Sequence, residues 1–297
     1  MKIYKFFEDL LFCPKWYHWI LIVFLLPFSL IYMTILHFKF RKKPTDLKIP
    51  VISVGNIIVG GSGKTPVSIA VVNHFKNKKA AVVLRGYKRK SKGLRVVSLF
   101  GDIKEDVDVS GDEAMEIALK TDALVIVSED RKEGVLKAKE LGADFVVLDD
   151  GFDKPFCKLN IVIDIKIKNP FVLPAGGYRY PRLALKFADI VLKEGEDFKR
   201  EVSVPKGDIL ISAISKPERL LKYWKKEYLF FPDHHDFKKE DLEKYKDKKI
   251  VCTYKDYVKL KKFDLKLEIM DLEVKLSEKV LKQIDNYLIK LQQKGGL

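Results

Sequence analysis

Gly60, Gly61, Ser62 and Gly63 run directly into Lys64 and Thr65 within the segment IIVGGSGKTP. Glycines let a backbone turn tightly enough for successive N–H groups to face phosphate oxygens. A lysine in the next position reaches β- and γ-phosphates, and a hydroxyl after it can hold Mg²⁺. The strict spacing of such a loop places glycine where this chain has Ile58. The alternative is a glycine-rich turn with an incidental lysine. Its flanks weigh against that: apolar, β-branched IPVISVGN (49–56) precedes it and VSIAVVNHF follows, reading as strand and helix.

Further strand-like runs follow at 80–84, 122–127, 144–150, 160–165 and 189–192, with helix-like DEAMEIALK and EGVLKAKELG between some of them. Strands alternating with helices after a phosphate loop predict a parallel α/β sheet covered on both faces. Ligands on such sheets lie beyond the carboxyl ends of the strands, so the residues just after each strand carry the chemistry. Asp149 and Asp150 end one strand, as the acids that orient Mg²⁺ and its water do. The competing reading is a plain Asp-Gly turn. RGYKRK (85–90) follows another and offers Arg85, Tyr87, Lys88 and Arg89 to phosphate, although basic runs are commonly solvated surface. Asp112 in SGDEA opens a helix, where an N-cap is the plainer role.

Phosphoryl transfer to an alcohol also needs a group to take the hydroxyl proton. Of five histidines, His18 and His37 sit in an apolar segment and His74 at the far end of the loop's helix. His234 and His235 in FPDHHDF remain, and an Asp-His pair in a loop can act as an oriented base. A surface turn or a weak metal site reads equally well from these residues alone.

The 297 residues carry 56 Lys and Arg against 41 Asp and Glu, a net charge of +15 that favours an anionic partner. With 47% hydrophobic and 33% charged residues, the composition excludes a disordered chain. Three scattered cysteines exclude a disulfide framework and argue against structural zinc. Between Lys15 and Lys39 lie 23 residues without a charged side chain, where about 20 suffice to cross hydrocarbon. Trp16, Tyr17 and Trp19 mark one end, and Lys39, Arg41, Lys42, Lys43 and Lys48 follow the other. The positive-inside rule then places the globular part on the cytoplasmic side, at an anionic membrane surface. A buried core helix and a helix lying in the interface are the alternatives. No nucleic-acid motif accompanies the charge, so a nucleic-acid partner is not expected.

The C-terminal third alternates again, with strand-like 208–214, 227–231, 248–254 and 264–270 and helix-like PERLLKYW, KEDLEKYK and SEKVLKQIDNYLIKLQQ. The expected fold is a P-loop NTPase-like parallel α/β domain plus a smaller second α/β domain, with an N-terminal membrane helix. The expected divisions are an anchor and basic flank (1–43), a nucleotide-binding domain (44–200) and a C-terminal domain (201–297), joined near the charged stretch 193–207.

VGNIIVGGSGKTP (54–66), RGYKRKSKG (85–93), GDEA (111–114), SEDR (128–131), LDDGF (148–152), LPAGGYRYP (173–181), SKPERL (215–220), FPDHHDF (231–237) and YKD (254–256), in this order, resemble the tetraacyldisaccharide 4′-kinases of lipid A biosynthesis, LpxK. The resemblance covers nearly the whole chain. It implies transfer of the ATP γ-phosphate to the 4′-hydroxyl of tetraacyldisaccharide 1-phosphate, with Mg²⁺, at the cytoplasmic face of an inner membrane. By motif, it implies that Lys64 and the 60–65 turn take nucleotide, and that Thr65, Asp149 and Asp150 take Mg²⁺. It further implies that Asp112 and His234 activate the acceptor hydroxyl and that Arg179 clamps phosphate. Asp153, Lys154 and Tyr180 depart from the family pattern. A membrane-anchored kinase for another lipid alcohol, or a nucleotide-dependent switch, are the other readings.

Overall fold

The computed structural model describes residues 2–233 and 235–295. Two helices lead the chain, α1 (Lys2–Phe12) and α2 (His18–Phe40). Then come β1 (Val51–Asn56), α3 (Lys64–His74), β2 (Ala80–Leu84), β3 (Arg95–Leu99), β4 (Asp102–Ile103), α4 (Val107–Ser110), α5 (Asp112–Lys120) and β5 (Leu124–Val127). They are followed by α6 (Arg131–Glu140), β6 (Phe145–Asp149), β7 (Leu159–Ile163) and β8 (Ile190–Leu192). Eight strands form one sheet in the order β4-β3-β5-β2-β6-β1-β7-β8. The six from β5 to β8 run parallel, and β3 and β4 close one edge antiparallel.

The inner strands are buried on both faces, which is why they read as unbroken apolar runs rather than alternations. Ile52, Val54, Val82, Leu84, Val125 and Val147 face α3 and α5. Their odd-even partners Val51, Ala81, Val83, Leu124, Val146 and Leu148 face Val135 and Ala138 of α6. A sheet covered on both faces was the expectation from sequence.

The second sheet is built from β9 (Phe198–Ser203), β10 (Ile209–Ser212), β11 (Glu227–Phe230), β12 (Lys249–Thr253) and β13 (Lys266–Leu276), in the order β11-β10-β12-β13-β9. Two helices sit within it, α7 (Lys239–Leu242) and α8 (Tyr254–Leu260). The charged stretch 193–207 contains β9, which pairs antiparallel with the second half of β13. PERLLKYW forms only a 3₁₀ stretch, Pro217–Lys222, entered through Lys216 at a φ of 57°. The closing helix α9 (Glu278–Gly295) returns to the first sheet: Val280, Ile284 and Leu288 at helical spacing join its core, and Tyr287 donates to the Val51 carbonyl at 3.0 Å.

Helix α2 lies along the globular part. Ile22 packs with Leu10 and Ala175, and Leu36 with Ile57 and Val172. Ser29 donates to the Val172 carbonyl at 3.0 Å, Tyr32 donates to the Arg179 carbonyl at 2.9 Å, and Phe40 stacks on Phe187 at 5.0 Å. The opposite face, including Ile20, Phe24 and Ile31, is exposed.

Candidate active site

Strands β5, β2, β6 and β1 are neighbours in that order, and the loops at their carboxyl ends meet in one cleft. The cleft has a volume of about 370 Å³ and is lined by Gly60, Lys64, Arg85, Tyr87, Glu113, Arg131, Asp149, Asp150 and Arg179, with Tyr32 of α2 at its edge. Seven residues singled out for phosphate or metal, namely Gly60, Lys64, Arg85, Tyr87, Asp149, Asp150 and Arg179, therefore face one space.

Gly63 caps α3 at a φ of 86°, in the left-handed region that glycine enters without strain. A side chain there would also meet the Arg200 guanidinium at 3.0 Å. Arg200 donates to the Ser62 carbonyl at 2.9 Å and Arg219 to the Gly61 carbonyl at 3.4 Å. Two carbonyls of the turn are thus held by arginines from the C-terminal part of the chain. Thr65, on the first turn of α3, donates its hydroxyl to Asp149 Oδ2 at 2.9 Å.

The two aspartates differ. Asp149 is 3% exposed, and burial together with the nearby Glu113 charge pushes its pKa up, against Lys64 and the Thr65 hydrogen bond. Its Oδ1 is buried without a hydrogen-bond partner among the described residues. Asp150 is only part-buried, and although that desolvation opposes it, Lys64 and Arg179 hold its carboxyl below the usual range. Arg179 Nη1 reaches both Asp150 oxygens, at 2.9 and 2.8 Å. It arrives on a strap running beside the glycine-rich turn: Arg179 N–H donates to the Ile57 carbonyl at 2.8 Å, and Val59 N–H to that of Gly177 at 2.9 Å. A Cβ at Gly176 would lie 2.2 Å from the Phe171 carbonyl oxygen, so only glycine lets this strap fold on itself.

Gly111, at a φ of 83°, occupies the N-cap of α5, so the capping role expected of Asp112 falls to its neighbour. Asp112 is the first helical residue and pairs with Lys259 at 3.0 Å. Glu113 lines the cleft and pairs with Lys255 at 2.7 Å. Burial works against the charge on Lys255, but Glu113 and Glu116 push its pKa up. His234 lies outside the described residues. His235 stacks on Phe231 at 4.6 Å and its Nε2 is 2.9 Å from Asp241 Oδ2, a packed side chain rather than one aimed at the cleft. Of the basic run, Arg85 and Tyr87 line the cleft, whereas Arg89 tucks its guanidinium away and pairs with the exposed Glu129 at 2.6 Å.

A model of the family described as tetraacyldisaccharide-1-P 4′-kinase, LpxK, matches residues 21–209 and 200–289. The chain belongs to the LpxK family. The tetraacyldisaccharide 4′-kinase of Aliarcobacter butzleri is 50% identical, over 94% of this chain and 95% of that one. That of Campylobacter jejuni subsp. jejuni serotype O:2 is 43% identical over 96% of each. A crystal structure of LpxK from Aquifex aeolicus, an "apo" form in complex with ATP, superposes with a TM-score of 0.77 at 30% identity, over 91% of this chain and 99% of that one.

The departures from the LpxK pattern have local occupations. Asp153 pairs with Lys39 at the end of α2, and Tyr180 packs edge-on against Phe152 and Phe40. Arg131, 4% exposed, was not singled out for the site. It opens α6, four residues beyond the end of β5, in the SEDR segment 128–131. Its Nη1 donates to the Ser128 carbonyl at 2.7 Å; burial lowers its pKa while Asp149 and Asp150 oppose that. Lys259 and Arg200 carry no local signal, and Lys255 and Arg219 lie in quoted motifs without a role assigned, because each meets its partner from a distant part of the chain.

Proposed function

We propose that this LpxK-family chain transfers the γ-phosphate of ATP to the 4′-hydroxyl of a tetraacyldisaccharide 1-phosphate at a membrane surface. One observation carries the reading: a single cleft joins the glycine-rich turn and Lys64 to Asp149, Asp150 and Arg179, with the acidic start of α5 on its wall. In this reading the turn's N–H groups and the α3 N-terminus cradle phosphate, and Lys64 neutralises the β- and γ-oxygens. Arg179 fixes Asp150 and adds positive charge beside the transferred group.

Thr65, Asp149 and Asp150 present only oxygen donors, and Asp149 Oδ1 lacks a protein partner among the described residues. That set fits Mg²⁺, which uses one or two carboxylates together with substrate phosphates. When bound, Mg²⁺ would supply charge neutralisation to the phosphates. Asp112, with His234, takes the acceptor proton in this reading.

The acceptor's acyl chains cost about 0.8 kcal/mol per exposed CH₂, so the kinase must come to the bilayer. A stripe of α2 from Ile22 to Phe40 is occupied by the globular part. We read α2 as lying in the interface, its exposed apolar face in the leaflet and the cleft on the cytoplasmic side, where ATP is found.

Asp112→Ala tests the chemical assignment. The expected result is a kcat lowered about a hundredfold or more with ATP affinity kept. A variant that loses only stability would remove Asp112 from the chemistry.

A further inference from the structure

Lys259 is a buried cation that the reaction as described does not use. Its side chain is 9% exposed, that of Asp112 is 14%, and the two meet at 3.0 Å. Lys259 Nζ also donates to the His235 carbonyl at 3.2 Å, one residue beyond His234. One ammonium group thus joins the first residue of α5 to the backbone of the FPDHHDF loop, two pieces of chain with no sequence proximity.

The helix that carries Lys259 is itself firmly placed. Asp256, fully buried, accepts hydrogen bonds from Ser212 Oγ at 2.8 Å, the Ala213 N–H at 2.9 Å and Thr253 Oγ1 at 2.7 Å. Thr253 caps α8 in return, accepting from the Asp256 N–H. These bonds tie the start of α8 to the carboxyl ends of β10 and β12. One turn along α8, at the i, i+4 spacing that puts side chains on one face, Lys255 and Lys259 grip Glu113 and Asp112 respectively.

We propose that Lys259 is a positioning residue for phosphoryl transfer, holding the Asp112 carboxylate and the FPDHHDF backbone in one fixed relation. The proposal rests on the assignment of Asp112 to the acceptor hydroxyl. A carboxylate at the head of a helix has several rotamers, and a misplacement of about 1 Å at a reacting group can cost about a hundredfold in rate. A lysine anchored from the second sheet removes that freedom. Because Lys259 is held to Asp112 rather than to the glycine-rich turn, its loss falls on turnover and not on nucleotide binding.

The test uses full-length protein in detergent micelles with saturating acceptor. Lys259→Met should lower kcat about tenfold or more while the KM for ATP stays within about twofold. Lys259→Arg should restore most of the loss. In an Asp112→Asn background, Lys259→Met should cost less than about twofold, since a residue acting through Asp112 has nothing left to position. If Lys259→Met does not fold, Lys259→Gln read against Lys259→Arg takes its place. A folded variant with kcat within about twofold of wild type, or an equal loss with and without the Asp112 carboxylate, overturns the proposal alone. Asp112→Asn with undiminished kcat overturns the underlying assignment as well, so the two failures are told apart.

Discussion

Arg179 and Asp150 are joined through one guanidinium nitrogen that reaches both carboxylate oxygens, at 2.9 and 2.8 Å. The pair sits on the cleft wall, and Arg179 is fixed there by its backbone bond to Ile57 beside the glycine-rich turn. Removing the cation leaves a part-buried carboxylate short of compensation. Arg179→Met should destabilise the fold by about 2 kcal/mol, between the values for surface and buried pairs. The Asp150 pKa is held low in the fold, so this contribution exists above the unfolded carboxylate pKa and fades as pH falls through the folded one. Denaturant unfolding of Arg179→Met and of Arg179→Met/Asp150→Asn checks it: the double variant should recover part of the loss. Equal loss in both would show that the pair does not matter to stability.

Lys64 faces the same cleft from the start of α3. A charge-assisted hydrogen bond contributes about 1.5–3 kcal/mol, so Lys64→Ala should weaken ATP binding by about tenfold to a hundredfold. Calorimetric titration with ATP measures this directly. An unchanged Kd would remove Lys64 from the nucleotide site.

Glu116, on the buried face of α5, has its pKa pushed up from 4.5 to about 7 by burial, with Glu113 and Asp271 adding and Lys255 and Lys120 opposing. The folded chain therefore holds this proton more tightly than the unfolded one. The resulting stability is complete below the unfolded value and is lost as pH rises through about 7, by up to about 3 kcal/mol. Glu116→Gln should match wild type in urea near pH ~4 and exceed it near pH ~8. A difference that does not grow with pH would contradict the burial argument.

Ile20, Phe24 and Ile31 are 78%, 69% and 60% exposed on the outer face of α2. Replacing all three with aspartate should abolish co-sedimentation with anionic vesicles and leave the thermal midpoint unchanged, because none of them packs on the globular part. Retained binding would place the membrane contact elsewhere.

The glycine-rich turn between β1 and α3 was legible because strand, turn and helix follow one another without a break. Asp149 and Asp150 were legible for the same reason, at the end of an apolar strand. Helix α1 was not, since KIYKFFEDLLF blends into the apolar run after it. Strand β9 was hidden because FKREVS is half exposed and spends charged residues on its outer face. The N-cap expected of Asp112 went to Gly111, where a φ of 83° suits glycine. Lys259 could not be read locally at all, because its meaning depends on where the second sheet docks.

Transfer of labelled γ-phosphate from ATP to tetraacyldisaccharide 1-phosphate, with Mg²⁺ and detergent-solubilised protein, is the most direct test of the central claim. Label at the 4′ position of the disaccharide, lost in Lys64→Ala and Asp112→Ala, is the predicted result. Label released only as inorganic phosphate by a folded protein, with none on the lipid, would contradict it.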